Sequence, residues 1–471
     1  MSKTILNEGD EGVRLIIKDA KVKSTQKPSR VPVHVVYGGA DRFSVDTPQK
    51  FGKIALATLA AYAPNFVEFA SAMRLQGSEL LPSYPKAMKE LEKSLRSSLD
   101  KVKRENFAAW FAWTIYQKTL DKLKREPVED FRIDFEDGYG FRSDEEEDHN
   151  AIIASDELAA AFKKNKVTPF CGFRIKSLGP LTYGRALKTL DLFLVNLFEK
   201  TGGKVPEDFV VTLPKVTDAK QVRELCKRLA SFEKKNKLAK NSIGVELMIE
   251  TPESIIDKKG RIAVRDLVDA AKGRCTSVHF GVYDYTAALG ISASHQDIGH
   301  PACNFARHMM QAALANTGVR LVDSVTTEIP VAIHKEAKLS TTQIAENRRA
   351  VHAAWHRHFQ NVTTSMVNGF YQSWDLHPNQ LVARYAAVYA FFLSEKDSQG
   401  ARLRGFLDKA TKASLTGNTF DDVASAQGLL NFFRMGRDCG AFDRSEIETA
   451  TGLKVEDLDA SFADLAAKTL G

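Results

Sequence analysis

Phe131-Arg-Ile-Asp-Phe-Glu-Asp137 is a short, largely apolar run that ends on carboxylates. Four more runs close in the same way: Phe170-Cys-Gly-Phe-Arg174, Val245-Glu-Leu-Met-Ile-Glu250, Val278-His-Phe-Gly-Val-Tyr-Asp284 and Trp374-Asp-Leu-His377. Short strands buried on both faces read as near-continuous apolar runs, and a closed parallel barrel carries its functional side chains at the carboxyl ends of several strands. Five such endings predict a (β/α)8 or TIM barrel with an arginine and several carboxylates around its mouth.

Outward from these runs, apolar segments alternate with helix-period segments. Strands are expected near 131–136, 170–175, 209–213, 243–249, 276–282, 319–323 and 370–376. Helices are expected at 155–164, 184–199, 217–235, 263–272, 301–316 and 341–368. Val31-Pro-Val-His-Val-Val-Tyr-Gly-Gly39 supplies the first strand, and Thr47 with Pro48 opens the first helix. About eight strands without a G-x-G-x-x-G turn favour the closed barrel over an open doubly wound sheet. The expected organisation is an N-terminal arm at 1–29 and a barrel at 30–390 with a helical insertion at about 75–128. A C-terminal helical extension without strands then covers 391–471, with helices at Ala401–Ser414 and Phe420–Met435.

The 471 residues are 44% hydrophobic and 27% charged, as in an ordinary globular protein, and no run approaches a membrane span. The first ten residues lack an apolar signal core, so a cytoplasmic protein is expected. Five scattered cysteines without a close pair read as reduced thiols, not as a metal or disulfide framework. The net charge of +7 comes from 66 basic and 59 acidic residues spread along the chain. With no nucleic-acid module beside it, that excess suits a small anionic substrate and no nucleic-acid or membrane partner.

Glu250 and Asp284 end runs where a barrel displays function, and two hard carboxylates with waters suit Mg²⁺ or Mn²⁺. The same residues would also serve as helix caps. Arg174 would project from the barrel top, where its fork binds a carboxylate or enolate oxygen, and a salt bridge to Glu136 or Asp137 is compatible with that role. Glu136 and Asp137 are candidates for orienting waters or the arginine. Asp134 and Glu136 alternate with Ile133 and Phe135, so the two share one side of a strand. The run Asp144-Glu-Glu-Glu-Asp148 reads as a solvated loop and helix start. His300, and less directly His295, stand in a loop after Asp284 and are candidates for the general acid or base, with a structural role as the alternative. Lys215, in Thr212-Leu-Pro-Lys-Val216, is a candidate substrate-binding residue and in principle a Schiff-base lysine. His352 and His356 share a helix face but lack the glutamate of an H-E-x-x-H zinc site.

Ile133-Asp-Phe-Glu-Asp137, Phe173-Arg-Ile175, Leu213-Pro-Lys-Val216, Met248-Ile-Glu-Thr251, Phe280-Gly-Val-Tyr-Asp284, Ala306-Arg307, Val322-Asp-Ser-Val325 and Leu376-His-Pro-Asn-Gln380 follow one another in an order that resembles the citrate lyase β-subunit and malyl-CoA lyase group of the HpcH/HpaI aldolase superfamily. The resemblance covers about residues 130 to 385. It implies a phosphoenolpyruvate/pyruvate-type barrel, Mg²⁺ held by Glu250 and Asp284, Arg174 on the substrate carboxylate and developing enolate, and a homo-oligomer. The implied reaction is aldol- or Claisen-type C–C cleavage of an oxo- or hydroxy-acid. Malate synthase-like condensation, thioester hydrolysis and a non-catalytic scaffold with a relic metal site stand as alternatives. This chain has Arg174-Ile-Lys176 where the group has Arg-Val-Asn, Gly-Tyr-Gly after the acidic motif, and a long insertion and tail. Those departures leave open whether the substrate carries coenzyme A.

Overall fold

A computed structural model describes residues 30–408, 414–416, 419–421, 423–460 and 465. The arm expected at 1–29 lies outside the described residues. The eight strands β1 His34–Gly39, β2 Asp130–Asp134, β3 Phe170–Arg174, β4 Val210–Leu213, β5 Gly244–Ile249, β6 Cys275–Phe280, β7 Arg320–Val325 and β8 Gln372–Asp375 are parallel and form a closed barrel in sequence order. His34 opposite Ser373 closes the ring between β1 and β8. The expected TIM barrel is the observed fold.

Between β1 and β2 run α1 Thr47–Tyr62, α2 Phe66–Met73, α3 Pro85–Ser97, α4 Leu99–Glu105 and α5 Phe107–Arg125. The outer layer continues with α6 Asp144–Lys163, α7 Tyr183–Lys200, α8 Ala219–Lys235, α9 Pro252–Ile255, α10 Ala263–Ala270, α11 Val282–Ala288, α12 Pro301–Leu314 and α13 Thr341–Val367. Local chemistry sets several starts. Asp218 with Gln221 and Ser340 with Gln343 form capping boxes, each satisfying otherwise orphaned amides at the N-termini of α8 and α13. Helix α6 begins eleven residues earlier than expected, because Ser143 caps it and the acidic run forms its first turn. Within that run Glu147 is buried, not solvated, against Lys176, Arg185 and Thr189.

Strand alternation sorts the core. Phe131, Ile133, Phe173 and Val211 face the helices, where Phe173 stacks on Phe193 at 4.1 Å between ring centroids. The intervening residues point into the barrel. Arg132 on β2 reaches Glu246 on β5, with Nε and Nη2 donating at 2.7 and 2.6 Å, and only a bond across the interior joins strands so far apart. Asp130 takes the other side of the same guanidinium, Thr212 and Ser277 donate to Glu246, and His279 lies 3.1 Å from it. The interior is therefore a paired polar layer inside an apolar shell, the condition under which buried charges are tolerated.

The described residues divide into two compact units, one of residues 32–389 and one formed by residues 30–31 with those from 390 onward. The division falls inside α14 Gln380–Asp408. The second unit holds β9 Ser414–Thr416, β10 Thr419–Asp421, α15 Val423–Asp438 and α16 Arg444–Thr451. β9 and β10 pair antiparallel, which corrects the expectation of helices without strands and of a helix already begun at Phe420. Threonines and Phe420 flanking a Gly-Asn dipeptide are a hairpin signal that outweighs the helical surroundings. Phe392, Phe432, Phe433 and Phe442 cluster in this unit, and Lys396 reaches Glu446 at 2.6 Å.

Candidate active site

The carboxyl ends of β2 to β6 bring Asp134, Arg174, Lys215, Glu250 and Asp284 together. Asp134 and Arg174 are direct register partners on β2 and β3. Their side chains meet in a two-pronged pair, with Arg174 Nε donating to Oδ1 and Nη2 to Oδ2, both at 2.6 Å. Asp134 is the arginine's chief partner, and the expected salt bridge to Glu136 is present beside it. Glu136 stands second, 3.3 Å from Nη1. Asp134 also accepts the backbone amides of Glu136 at 3.0 Å and Gly138 at 2.7 Å, so it ties the β2 loop to the arginine. The Tyr37 ring lies 4.8 Å beneath the guanidinium, and its hydroxyl sits 2.9 Å from His279 Nδ1.

Glu250 follows β5 and is 2% exposed. Its Oε1 accepts the Lys215 amide at 2.7 Å. Burial pushes its carboxyl up to about 8, with the charge of Asp284 adding and Arg174 and the Lys215 amide opposing. Gly281 makes room for it, since a Cβ there would lie 2.5 Å from the Glu250 carboxylate. Asp284 was expected at a strand end. It sits instead in the first turn of α11, because β6 stops at Phe280 and Gly281 precedes the helix. Lys215 pairs with Glu136, reaches Asp137 at 3.1 Å and lies 3.7 Å from Asp284 Oδ2. Burial disfavours its charge, but Glu136, Asp137 and Glu250 outweigh that and raise its pKa well above the usual range. An ammonium held so firmly protonated is a poor Schiff-base nucleophile.

A cavity of about 630 Å³ opens here, walled by Glu136, Asp137, Lys176, Lys215, Asp284 and apolar residues including Phe141 and Leu181. Arg174 and Glu250 lie behind that wall, in contact with Glu136 and Lys215 respectively. His300 and His295 are employed elsewhere. His300 caps α12, its Nδ1 accepting the Ala302 amide at 3.1 Å, and exposed His295 sits 2.9 Å from Ser292 Oγ. His279, which sequence reasoning passed over, is the histidine that connects to the arginine through Tyr37. Its signal was its place two residues after Ser277, on the inward side of β6.

The donor set suits a hard divalent cation in part. Glu250 and Asp284 present carboxylates whose charges act on each other, and the charges of Arg174 and Lys215 offset only part of the cost of burying Glu250. No group of three or more His, Cys, Asp or Glu side chains arranged for a metal occurs among the described residues. Two carboxylates alone would leave the remaining positions of a Mg²⁺ ion to water or substrate, an arrangement that ion accepts.

The fold and this mouth define a (β/α)8 barrel with a buried arginine–carboxylate site at its carboxyl-terminal face. Residues 18–465 match the family described as Domain of unknown function (DUF6986), and the chain belongs to that family. No curated protein matches it in sequence. Among solved structures it is similar to a citrate lyase from Burkholderia xenovorans LB400, at 17% identity and a TM-score of 0.51 over 71% of this chain and 92% of that one. A Haloferax volcanii malate synthase, native at 3 mM glyoxylate, aligns at 17% identity and a TM-score of 0.39 over 57% of this chain and 70% of that one. At such identity the citrate lyase likeness extends to the fold alone, and no helix among the described residues is long and apolar enough to cross a membrane.

Proposed function

We propose that the protein is a Mg²⁺-assisted enzyme that breaks or makes a C–C bond next to the carbonyl of an oxo- or hydroxy-acid, in the manner of the HpcH/HpaI aldolase superfamily. The observation that carries this reading is the convergence of Arg174, Glu250 and Asp284 at one barrel mouth beside a cavity large enough for a small acid or its thioester. Glu250 and Asp284 would hold the ion, and Mn²⁺ would fit the same oxygens. When bound, the ion supplies Lewis-acid stabilisation of oxygen charge. Arg174, held by Asp134 through Nε and Nη2, would turn Nη1 to the enolate oxygen or carboxylate as charge develops, once the substrate takes the place of Glu136. Glu136 and Asp137 orient the arginine and water at the cavity wall. Lys215 gives the substrate carboxylate a second cation. The apolar Phe141 and Leu181 would accommodate an apolar acyl extension, and coenzyme A is one carrier such an extension could have. The reading includes a homo-oligomeric, cytoplasmic enzyme.

The test is product analysis with a panel of oxo-acids, hydroxy-acids and their thioesters in both directions, including acetyl-CoA with glyoxylate. Metal-dependent turnover by the native protein that is lost in both Glu250→Gln and Asp284→Asn supports the proposal. Turnover that survives unchanged in both variants refutes the metal assignment. Absence of any turnover across the panel leaves the scaffold alternative ahead.

A further inference from the structure

We infer that Lys215 is a resident counter-ion whose ammonium holds, in the resting protein, the place among the mouth carboxylates that a divalent cation takes on binding. Ion entry then requires its expulsion. The inference rests on the metal-assisted reading above and adds a competitor to it.

One residue engages both proposed ligands through two different groups. The Lys215 amide holds Glu250 Oε1 at 2.7 Å, while its Nζ lies 3.7 Å from Asp284 Oδ2. The same ammonium pairs with Glu136 and reaches both oxygens of Asp137 at 3.1 and 3.2 Å. It does so from a left-handed backbone, with φ of 49°, a conformation uncommon for a residue with a Cβ. The neighbouring cation is not available for this duty, because Arg174 is engaged by Asp134 and Glu136. The carboxylates Asp134, Glu136, Asp137, Glu250 and Asp284 thus face two cationic side chains, Arg174 and Lys215.

A divalent ion bound by Glu250 and Asp284 would stand within a few ångströms of the ammonium, and like charges at that separation repel strongly in a partly desolvated site. Exchanging one positive charge for two also neutralises the carboxylates better. The lysine stem is flexible, and its residue already forms part of the cavity wall, so the displaced ammonium has a route to an incoming carboxylate. Ion binding and acid capture are then coupled in the same favourable direction, and the coupling is reciprocal.

The experiment titrates the full-length protein with Mn²⁺, reading free ion by electron paramagnetic resonance. Native protein is compared with Lys215→Met, Lys215→Gly and the double variant Asp284→Asn/Lys215→Met. Glycine keeps the amide on Glu250 and relieves the left-handed strain, so it carries the test should the methionine variant not fold. The expected result is Mn²⁺ binding at least about tenfold tighter in both single variants, with the gain lost in the double variant. Native protein that binds Mn²⁺ as tightly as the single variants overturns the inference and leaves the metal reading intact. A gain that persists without Asp284 also overturns it. If no form binds Mn²⁺, the metal reading falls and the inference falls with it.

Discussion

Two arginines on neighbouring strands show how the same charge serves two purposes in one barrel. Arg132, inside the barrel, is fully buried between Glu246 and Asp130, and those carboxylates are held in turn by Thr212, Ser277 and Gln372. Arg174, at the mouth, is gripped as tightly by Asp134, but its remaining nitrogen faces Glu136, a carboxylate shared with Lys215 and in the cavity wall. The inner pair is closed and fixes how the strands meet. The outer pair ends in an exchangeable partner, which is where a substrate acid would compete.

The largest effect is expected from Arg132→Met. Removing the cation strands Asp130 and Glu246 in the barrel centre, and chemical denaturation should show a loss of about 3–5 kcal/mol, or no folded protein. Arg174→Gln should behave differently, because Asp134 keeps the amides of Glu136 and Gly138. A stability loss of about 1–3 kcal/mol is expected there, with turnover falling by roughly 10²–10³. Equal destabilisation by the two variants would break the comparison.

Gly281→Ala sharpens it at the proposed metal side. The added methyl would lie 2.5 Å from Glu250, so the carboxylate must move. Calorimetry should show Mg²⁺ affinity reduced about tenfold, with overpacking costing roughly 1–3 kcal/mol of stability. The smallest effect concerns a cluster outside the mouth. His358 is buried 2.8 Å from Asp375 Oδ1 and 2.8 Å from Thr326 Oγ1, and burial lowers its pKa although Asp375 opposes this. With a folded pKa below the unfolded value of about 6.5, the folded state binds fewer protons, so stability is complete above that pH and declines as pH falls below it. Denaturation at pH 8, 6.5 and 5 should show a decline of about 1 kcal/mol per unit at most, flattened in His358→Gln. Asp375 is held low despite its burial by Arg384, His34 and His358, so its own contribution is lost only below about pH 4.

The barrel was legible because parallel strands leave dense apolar runs with polar endings, and Arg174 and Glu250 stand at such endings, whereas Asp284 lies beyond its strand in the first turn of α11. The salt bridge from Arg174 to Glu136 was legible, but its chief partner, Asp134, was missed because adjacency to the loop drew attention to Glu136 and Asp137. Alternation from Phe131 and Ile133 already placed Asp134 on the inward side, level with Arg174 in the register. Tyr37, Glu246 and His279 escaped notice for a related reason: single polar residues within apolar strands acquire meaning only once three or more strands curve around a shared interior. The β9–β10 hairpin was short enough for its flanking helices to mask it.

The measurement closest to the central claim is calorimetric titration of metal-free protein with Mg²⁺, with and without pyruvate, oxaloacetate or glyoxylate, repeated in Asp284→Asn. The expected result is oxo-acid binding that requires both Mg²⁺ and Asp284. Oxo-acid binding of equal strength without metal, or in Asp284→Asn, would contradict it.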